Sequence, residues 1–182
     1  MPIDRTVRWR PRDGSGLEHL ELRQSAGGIL VRSVLIGERE GVRFGARYDM
    51  RLDPDWTFRF LILDRMDGAT LRLDSDGRGG WTRDGSVLLP QLDDCIDIDI
   101  SATPFTNTLP IRRAHLEPGM PQRFRMAWVP LDTLEPFADE QIYTRHDDRH
   151  FRYQSGDGTF EAELTVDADG LVVDYPALFA RA

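Results

Sequence analysis

The sequence predicts a mainly β protein, an antiparallel meander that curls into a barrel or half-barrel and carries one or two short helical turns. Three observations favour this fold class: apolar and polar residues alternate along several segments, turn signals recur between them, and no long amphipathic helix is visible. Successive side chains of a strand point to opposite faces, so alternation predicts half-buried strands. Curling covers the unpaired edges that a flat meander would expose.

The alternation is clearest in four segments. Each one carries apolar side chains at every second position and is predicted to be an antiparallel strand with one buried face. These apolar sets are Val42, Phe44, Ala46, Tyr48, Met50 and Leu52; Trp56, Phe58, Phe60 and Ile62; Ile96, Ile98 and Ile100; and Phe124, Met126 and Trp128.

Short turns separate these segments. Asp-Gly pairs in "MDGA", "SDGRGG", "RDGS", "SGDG" and "DADG" supply the positive φ angles that tight hairpins need. The stretches "PFTNTLPI" and "PLDTLEPFADEQ" can each hold a helical turn, which their prolines keep short. No linker, low-complexity tract or internal repeat interrupts the pattern, so residues 1–182 are predicted to form a single β-barrel-like domain.

Composition excludes several classes of function. The chain has a formal net charge of −8, which disfavours nucleic acid as a partner, because phosphate binding needs a basic surface. All 23 basic residues are arginine, so a lysine-based Schiff base or phosphate loop is excluded. No signal-peptide core and no run of 18 apolar residues is present, which predicts a cytoplasmic protein with no membrane span.

An acidic row follows the single cysteine. Asp97 and Asp99 alternate with isoleucine and therefore project from one strand face. Such oxygen ligands suit a hard cation, but the glycine turn and distal glutamate of a calcium loop are missing. The alternatives are pairing across strands with arginines of the segment 43–51 and, if the face lines a cavity, contact with a ligand.

The remaining reactive side chains favour neither a catalytic residue nor a metal or cofactor site. The stretch "HDDR" begins at His146 and is followed by His150, and we interpret it as a hairpin turn. Cys95 stands beside two acids, which raise rather than lower the pKa of a thiol, so it is predicted to be a small buried residue. The strand–turn–helix context of a nucleophile elbow is absent from the pattern.

The stretch "SATPFTNTLPIRR" breaks the strand pattern. Pro104 and Pro110 fix φ and end the ladder, and the segment offers hydroxyl, amide and guanidinium groups. Two interpretations stay open. Either these groups bind sugar or head-group hydroxyls, or they form hydrogen bonds with the backbone of their own turn. The candidate ligand-binding residues here are Thr106, Asn107, Arg112 and Arg113.

Several motifs resemble a known family. "DCIDIDISATPFTNTLPIRR", "QIYT" and "GLVVDYPALFAR", together with "DWTFRF" and "GGWTRDG", resemble the bacterial family described as "Putative glycolipid-binding", formerly a domain of unknown function. The resemblance spans about Trp9 to Arg181. It implies a curled antiparallel sheet similar to periplasmic lipoprotein carriers and lipocalin-like barrels, and a lipid or glycolipid ligand. It brings no established catalytic residues.

The sequence leaves three alternative functions open. The first is non-enzymatic binding of a small amphipathic molecule in the hollow of the sheet, against an apolar wall that includes Tyr48, Trp56 and Trp128, with Asp97, Asp99 and the polar loop as anchors. The second is a hydrolase-type enzyme on a small sugar or amphiphile that uses Asp97 and Asp99. The third is a structural or interaction module. Either a monomer or a homodimer fits the sequence.

Overall fold

The computed structural model describes residues 3–39 and 41–182. Those residues form one sheet of fifteen strands, one α-helix and two 3-10 helices. The strands are Asp4–Pro11 (β1), Leu17–Ser25 (β2), Gly28–Arg39 (β3), Val42–Leu52 (β4), Phe58–Arg65 (β5), Thr70–Ser75 (β6), Trp81–Arg83 (β7), Val87–Leu88 (β8), Asp97–Ile100 (β9), Pro121–Val129 (β10), Phe137–Arg145 (β11), His150–Ser155 (β12), Glu161–Val166 (β13), Val172–Tyr175 (β14) and Phe179–Arg181 (β15). The helix α1 is Thr108–Arg113, and the 3-10 helices are Pro90–Leu92 and Phe105–Asn107.

The sheet joins two meanders. Strands β1 to β8 follow one another as neighbours, as do β9 to β15, and the antiparallel pair β1–β15 connects the two halves. The order ends at β8 and at β9, which do not pair with each other among the described residues. The sheet is therefore curled and not closed, as the predicted half-barrel requires.

The alternation predicted for residues 42–52 is confirmed from Ala46 onward, because Ala46, Tyr48, Met50 and Leu52 are buried. At the start of the strand it is wrong, since Val42 is exposed and Phe44 is half-buried. The predicted face of Trp56, Phe58, Phe60 and Ile62 is wrong. An irregularity in the pairing of β4 with β5 sets Phe58 opposite Leu52 and Phe60 opposite Arg51, so one residue of β5 has no counterpart. After it, Leu61 and Leu63 turn inward, whereas Phe60 and Ile62 are half-buried.

Strand β9 departs most from expectation. It runs parallel to β10, not antiparallel, and its four residues are all buried. Ile98 and Ile100 belong to the large core cluster that includes Leu61 and Trp81 of the other meander. The opposite face of β9 is covered as well. The isoleucines and the aspartates therefore both point into buried surroundings, and neither set faces solvent.

The segment 101–113 follows β9 and is named the inner segment here. Its residues 103–110 are all buried, although they lie outside any strand. Phe105 and Leu109 belong to the large core cluster, and Ile111 packs against the second cluster, which includes Tyr143 and Leu164. The inner segment therefore fills the hollow of the curled sheet. None of the helices among the described residues has the length and apolarity to cross a membrane.

Candidate functional site

The inner segment is anchored to β9 by a buried ion pair. Arg113, the last residue of α1, donates to Asp97 from Nε at 2.9 Å and from Nη2 at 2.6 Å. Asp97 is buried, and this two-pronged contact raises the pKa of the Arg113 guanidinium. A bidentate guanidinium–carboxylate pair fixes orientation as well as charge. Asp97 and Arg113, both predicted as ligand anchors, thus hold the start of β9 against the end of α1.

Asp99 lies in a second buried network. It accepts hydrogen bonds from Thr106 Oγ1 at 2.5 Å and from Gln141 Nε2 at 2.6 Å. Burial raises the pKa of Asp99, which the Thr106 and Gln141 hydrogen bonds offset in part. Tyr143 extends the network, since its hydroxyl donates to Asn107 Oδ1 at 2.9 Å. Asp99 and Thr106 therefore bind each other directly, and Asn107 is connected to them through Tyr143 and Gln141.

The arginines of β4 do not meet the acidic row. Arg43 pairs with Glu38 and Arg47 with Asp64, both on the outer face, while Arg51 lies over the ring of Phe60. The acids and these arginines project into different regions, because all residues of β9 are buried whereas β4 exposes its charged face. Cross-strand pairing of Asp97 and Asp99 with this row, one of the alternatives from sequence, is wrong.

The predicted aromatic wall is dispersed. Tyr48 is buried on β4 and donates to Glu18 Oε1 at 3.0 Å. Trp56 is buried, and the Arg112 guanidinium carbon lies 5.2 Å from its ring centroid. Trp128 is only half-buried, because Ala127 and Val129 turn to the core at this end of β10. Tyr48, Trp56 and Trp128 do not line one common cavity.

Glu18 is a buried carboxyl on the inward face of β2. Oε1 accepts from Ser33 Oγ at 2.6 Å and from Tyr48, whereas Oε2 has no hydrogen-bond partner among the described residues. Burial raises the pKa of Glu18 to about 7, although the hydroxyl donors act in the opposite direction. Glu18 therefore holds its proton in a range where exposed carboxyls are ionised.

An open cavity of about 480 Å³ lies where the inner segment leaves the sheet, and we name it the end cavity. Its volume is within the range of small-molecule sites. Three parts of the chain surround it: the end of α1 with the residues after it, the β11–β12 turn, and the β13–β14 turn. The lining residues are Ile111, Arg112, Ala114, His115, Leu116, Arg145, Asp148, Arg149, Phe151, Val166, Asp167, Ala168 and Gly170.

The end cavity has an apolar wall and a charged rim. Leu116, Phe151 and Val166 are buried, whereas Arg112 and Arg149 are exposed. Six of the thirteen lining residues carry ionisable side chains, so the cavity is more polar than most small-molecule sites. This arrangement can accept a molecule with an apolar part and a polar part.

Glycine is required at one point of this wall. Gly170 has a φ of +77°, and a Cβ there would lie 2.8 Å from Arg112 Cδ. A side chain at position 170 would strain the turn, and its Cβ would clash with the Arg112 side chain. Of the ligand-binding residues predicted from sequence, Arg112 lines the end cavity, and the others do not.

The chain was compared with known proteins. The family described as "Putative glycolipid-binding" matches residues 6–181, nearly the whole chain. The chain belongs to this family. A DUF1089 family protein from Pseudomonas aeruginosa, solved by crystallography, is 38% identical to this family member, with a TM-score of 0.79 over 91% of this chain and 92% of that chain. No curated protein matches the chain.

The histidines and the cysteine of this glycolipid-binding family member follow their sequence interpretation. β11 ends at Arg145 and β12 begins at His150, which confirms the predicted turn. Asp147 accepts hydrogen bonds from the backbone N–H groups of Arg149 and His150 within it. Cys95 is buried, and burial raises the pKa of its thiol to about 11. The described residues contain no cluster of three or more side chains suited to a metal ion.

The sequence reasoning missed most of the end cavity of this family member. The predicted turn "HDDR" contains Arg149, but the sequence pattern marks none of Arg145, Phe151 and Val166 as a site residue. No local pattern marks them, because they come together only when the two turns meet the end of the inner segment. The stretch "IRRAHL" is the one local signal, since it sets two arginines and a histidine between apolar residues.

Proposed function

We propose that this protein binds a small amphipathic molecule without chemically converting it, and that the molecule occupies the end cavity. The observation that carries the proposal is the cavity of about 480 Å³ with a buried apolar wall and a charged rim. The apolar tail of a ligand would lie against the half-buried side chains of Ile111 and Ala114, which stand in front of the buried Leu116 and Phe151. Its head group would face the rim, where Arg112 and Arg149 are exposed. Membership of a family described as glycolipid-binding supports the same class of ligand.

The interior of the sheet is a poorer site. Residues 103–110 occupy it and are buried, so a ligand there would have to displace a packed segment. Asp97 and Asp99 are already bonded to Arg113, Thr106 and Gln141, and neither carboxylate lines the end cavity. An acid/base pair for hydrolysis needs access to the substrate. These contacts favour binding over the hydrolase alternative.

Calorimetric titration with decyl maltoside, a neutral glycolipid analogue, tests the proposal. Ala168 is exposed and lines the end cavity, so Ala168→Trp should obstruct it. We expect the wild type to bind the amphiphile below its micelle concentration and the variant to bind at least about tenfold more weakly, since about 1.4 kcal/mol of lost apolar contact has that effect.

Ala26→Trp is the matched control. Ala26 is also an exposed turn alanine, but it lies between β2 and β3 and does not line the end cavity. Its affinity for decyl maltoside should equal that of the wild type. Absence of binding to the wild type, or equal affinity of both tryptophan variants, would refute the assignment of the ligand to this cavity.

A further inference from the structure

Two arginines on the rim of the end cavity have no carboxylate partner. Most arginines of the chain form an ion pair, among them Arg5, Arg47 and Arg113. Among the described residues, neither Arg112 nor Arg149 forms an ion pair with an aspartate or glutamate, and both are exposed. Two uncompensated guanidinium groups thus face one cavity in a chain whose formal net charge is −8.

The acids of the same cavity are already neutralised. Asp167 accepts from Arg181 Nη1 at 2.6 Å and from Arg5 Nη2 at 3.2 Å. Asp148 is paired with Arg145, whose Nη1 also donates to the backbone oxygen of Leu116 at 3.3 Å. The local balance of the rim is therefore positive, which attracts anions within about a Debye length of 8–10 Å.

Both arginines are attached to ordered parts of the fold. Arg112 is the penultimate residue of α1 and lies over the ring of buried Trp56, with its aliphatic stem against Gly170. Arg149 is in the β11–β12 turn, where its backbone N–H donates to Asp147 Oδ1 at 2.8 Å. Guanidinium groups bind phosphate, sulfate or carboxylate groups through paired hydrogen bonds, and attachment of this kind lowers the entropy cost of binding.

We infer that the end cavity selects amphiphiles whose head group carries an anion, a phosphate, sulfate or carboxylate, which Arg112 and Arg149 bind together. This inference rests on the proposed function, because it assumes that the apolar tail lies in the same cavity. It adds that a purely neutral head group is bound less well. The anion is part of the amphiphile, so the isolated ion is a weak ligand.

Titration with three probes separates these claims: decyl phosphate, decyl maltoside and inorganic phosphate. We expect decyl phosphate to bind the wild type at least about tenfold more tightly than either of the others. Arg149→Gln and Arg112→Gln should each weaken decyl phosphate at least about fivefold, weaken decyl maltoside by a clearly smaller factor, and reduce the dependence of decyl phosphate binding on salt.

Arg78→Gln is the matched control, because Arg78 is also an exposed loop arginine whose backbone N–H donates to the aspartate two residues before it. It does not line the end cavity, and its affinities should equal those of the wild type. Equal binding of decyl phosphate and decyl maltoside, or equal losses in all three arginine variants, overturns the inference and leaves the proposed function standing. Equal binding of inorganic and decyl phosphate also overturns it, and binding of no probe ends both.

Discussion

At the scale of single residues, the buried carboxyls distinguish this interior from an ordinary apolar core. Asp97 is compensated by a guanidinium and Asp99 by two neutral donors. Glu18 has only hydroxyl donors on one oxygen and none on the other. Burying an ionised group without a counter-charge is costly, so Glu18 is the residue at which stability should depend most on its protonation.

Glu18→Gln should reveal this dependence. The unfolded chain loses the Glu18 proton near the ordinary pKa of 4.5, whereas the folded protein keeps it until about pH 7. Between these values the folded state binds more protons, so the contribution of Glu18 to stability falls as pH rises and then levels off. Glutamine keeps an acceptor for Ser33 and Tyr48 and does not ionise. The difference in free energy of unfolding between the variant and the wild type should therefore shift in favour of the variant by up to about 3 kcal/mol from about pH 5 to about pH 8.

The measurement is urea denaturation of both proteins at the two pH values. Glu21→Gln serves as the control, because Glu21 is on the other face of β2 and has a half-exposed side chain. The difference in free energy of unfolding between Glu21→Gln and the wild type should change by less than about 0.5 kcal/mol over that pH range. A stability difference between Glu18→Gln and wild type that is the same at both pH values would contradict the assignment.

At the scale of elements, the inner segment is the unusual feature. Connecting segments normally run over the surface, because buried backbone polar groups need partners. Here the 3-10 helix and α1 supply part of these partners internally, and Thr106 and Asn107 supply side-chain bonds within the segment. The polar groups of "SATPFTNTLPIRR" thus largely satisfy their own surroundings, as one of the two interpretations has it. Ile111 and Arg112, near its end, line the end cavity, and the binding of a ligand there stays a prediction.

Phe105→Ala tests whether the inner segment is a structural part of the core. The ring is completely buried in the large core cluster, so its removal should destabilise the protein by about 3–5 kcal/mol through lost apolar contact and the cavity left behind. Phe137, at the start of β11, is 48% exposed, and Phe137→Ala should cost less than about 1 kcal/mol. Denaturant unfolding measures both. Similar costs for the two variants would mean that the inner segment is not packed as described.

The sequence predicted the elements better than their arrangement. Alternation in residues 46–52 is set locally by the pleat of a strand, and it is confirmed. The pattern of β9 was misleading because both of its faces are covered by chain that lies far away in sequence. The irregularity in β5 escaped notice for a related reason, since an extra residue is visible only in the register with β4. Periodicity reports burial of a face and does not report what covers it.

At the scale of the whole molecule, the interior of the curled sheet is filled by the chain, so the space for a ligand lies at one end of the sheet. The predicted hollow exists, but the chain itself occupies it, and the predicted anchors Asp97, Asp99, Thr106 and Asn107 hold that filling in place. The end cavity depends on three separate parts of the chain meeting at the exit of the inner segment. Of the residues predicted to bind ligand, only Arg112 could be associated with this cavity from sequence, and its partner Arg149 could not.

The most direct test of the account is a crystal structure of the protein with decyl phosphate bound. We expect the phosphate within hydrogen-bonding distance of Arg112 and Arg149, the alkyl chain against Ile111 and Ala114, and the inner segment in its present position. An alkyl chain between residues 103–110 and the strands, with the inner segment displaced, would contradict the central claim that the ligand binds at the end of the curled sheet and not inside it.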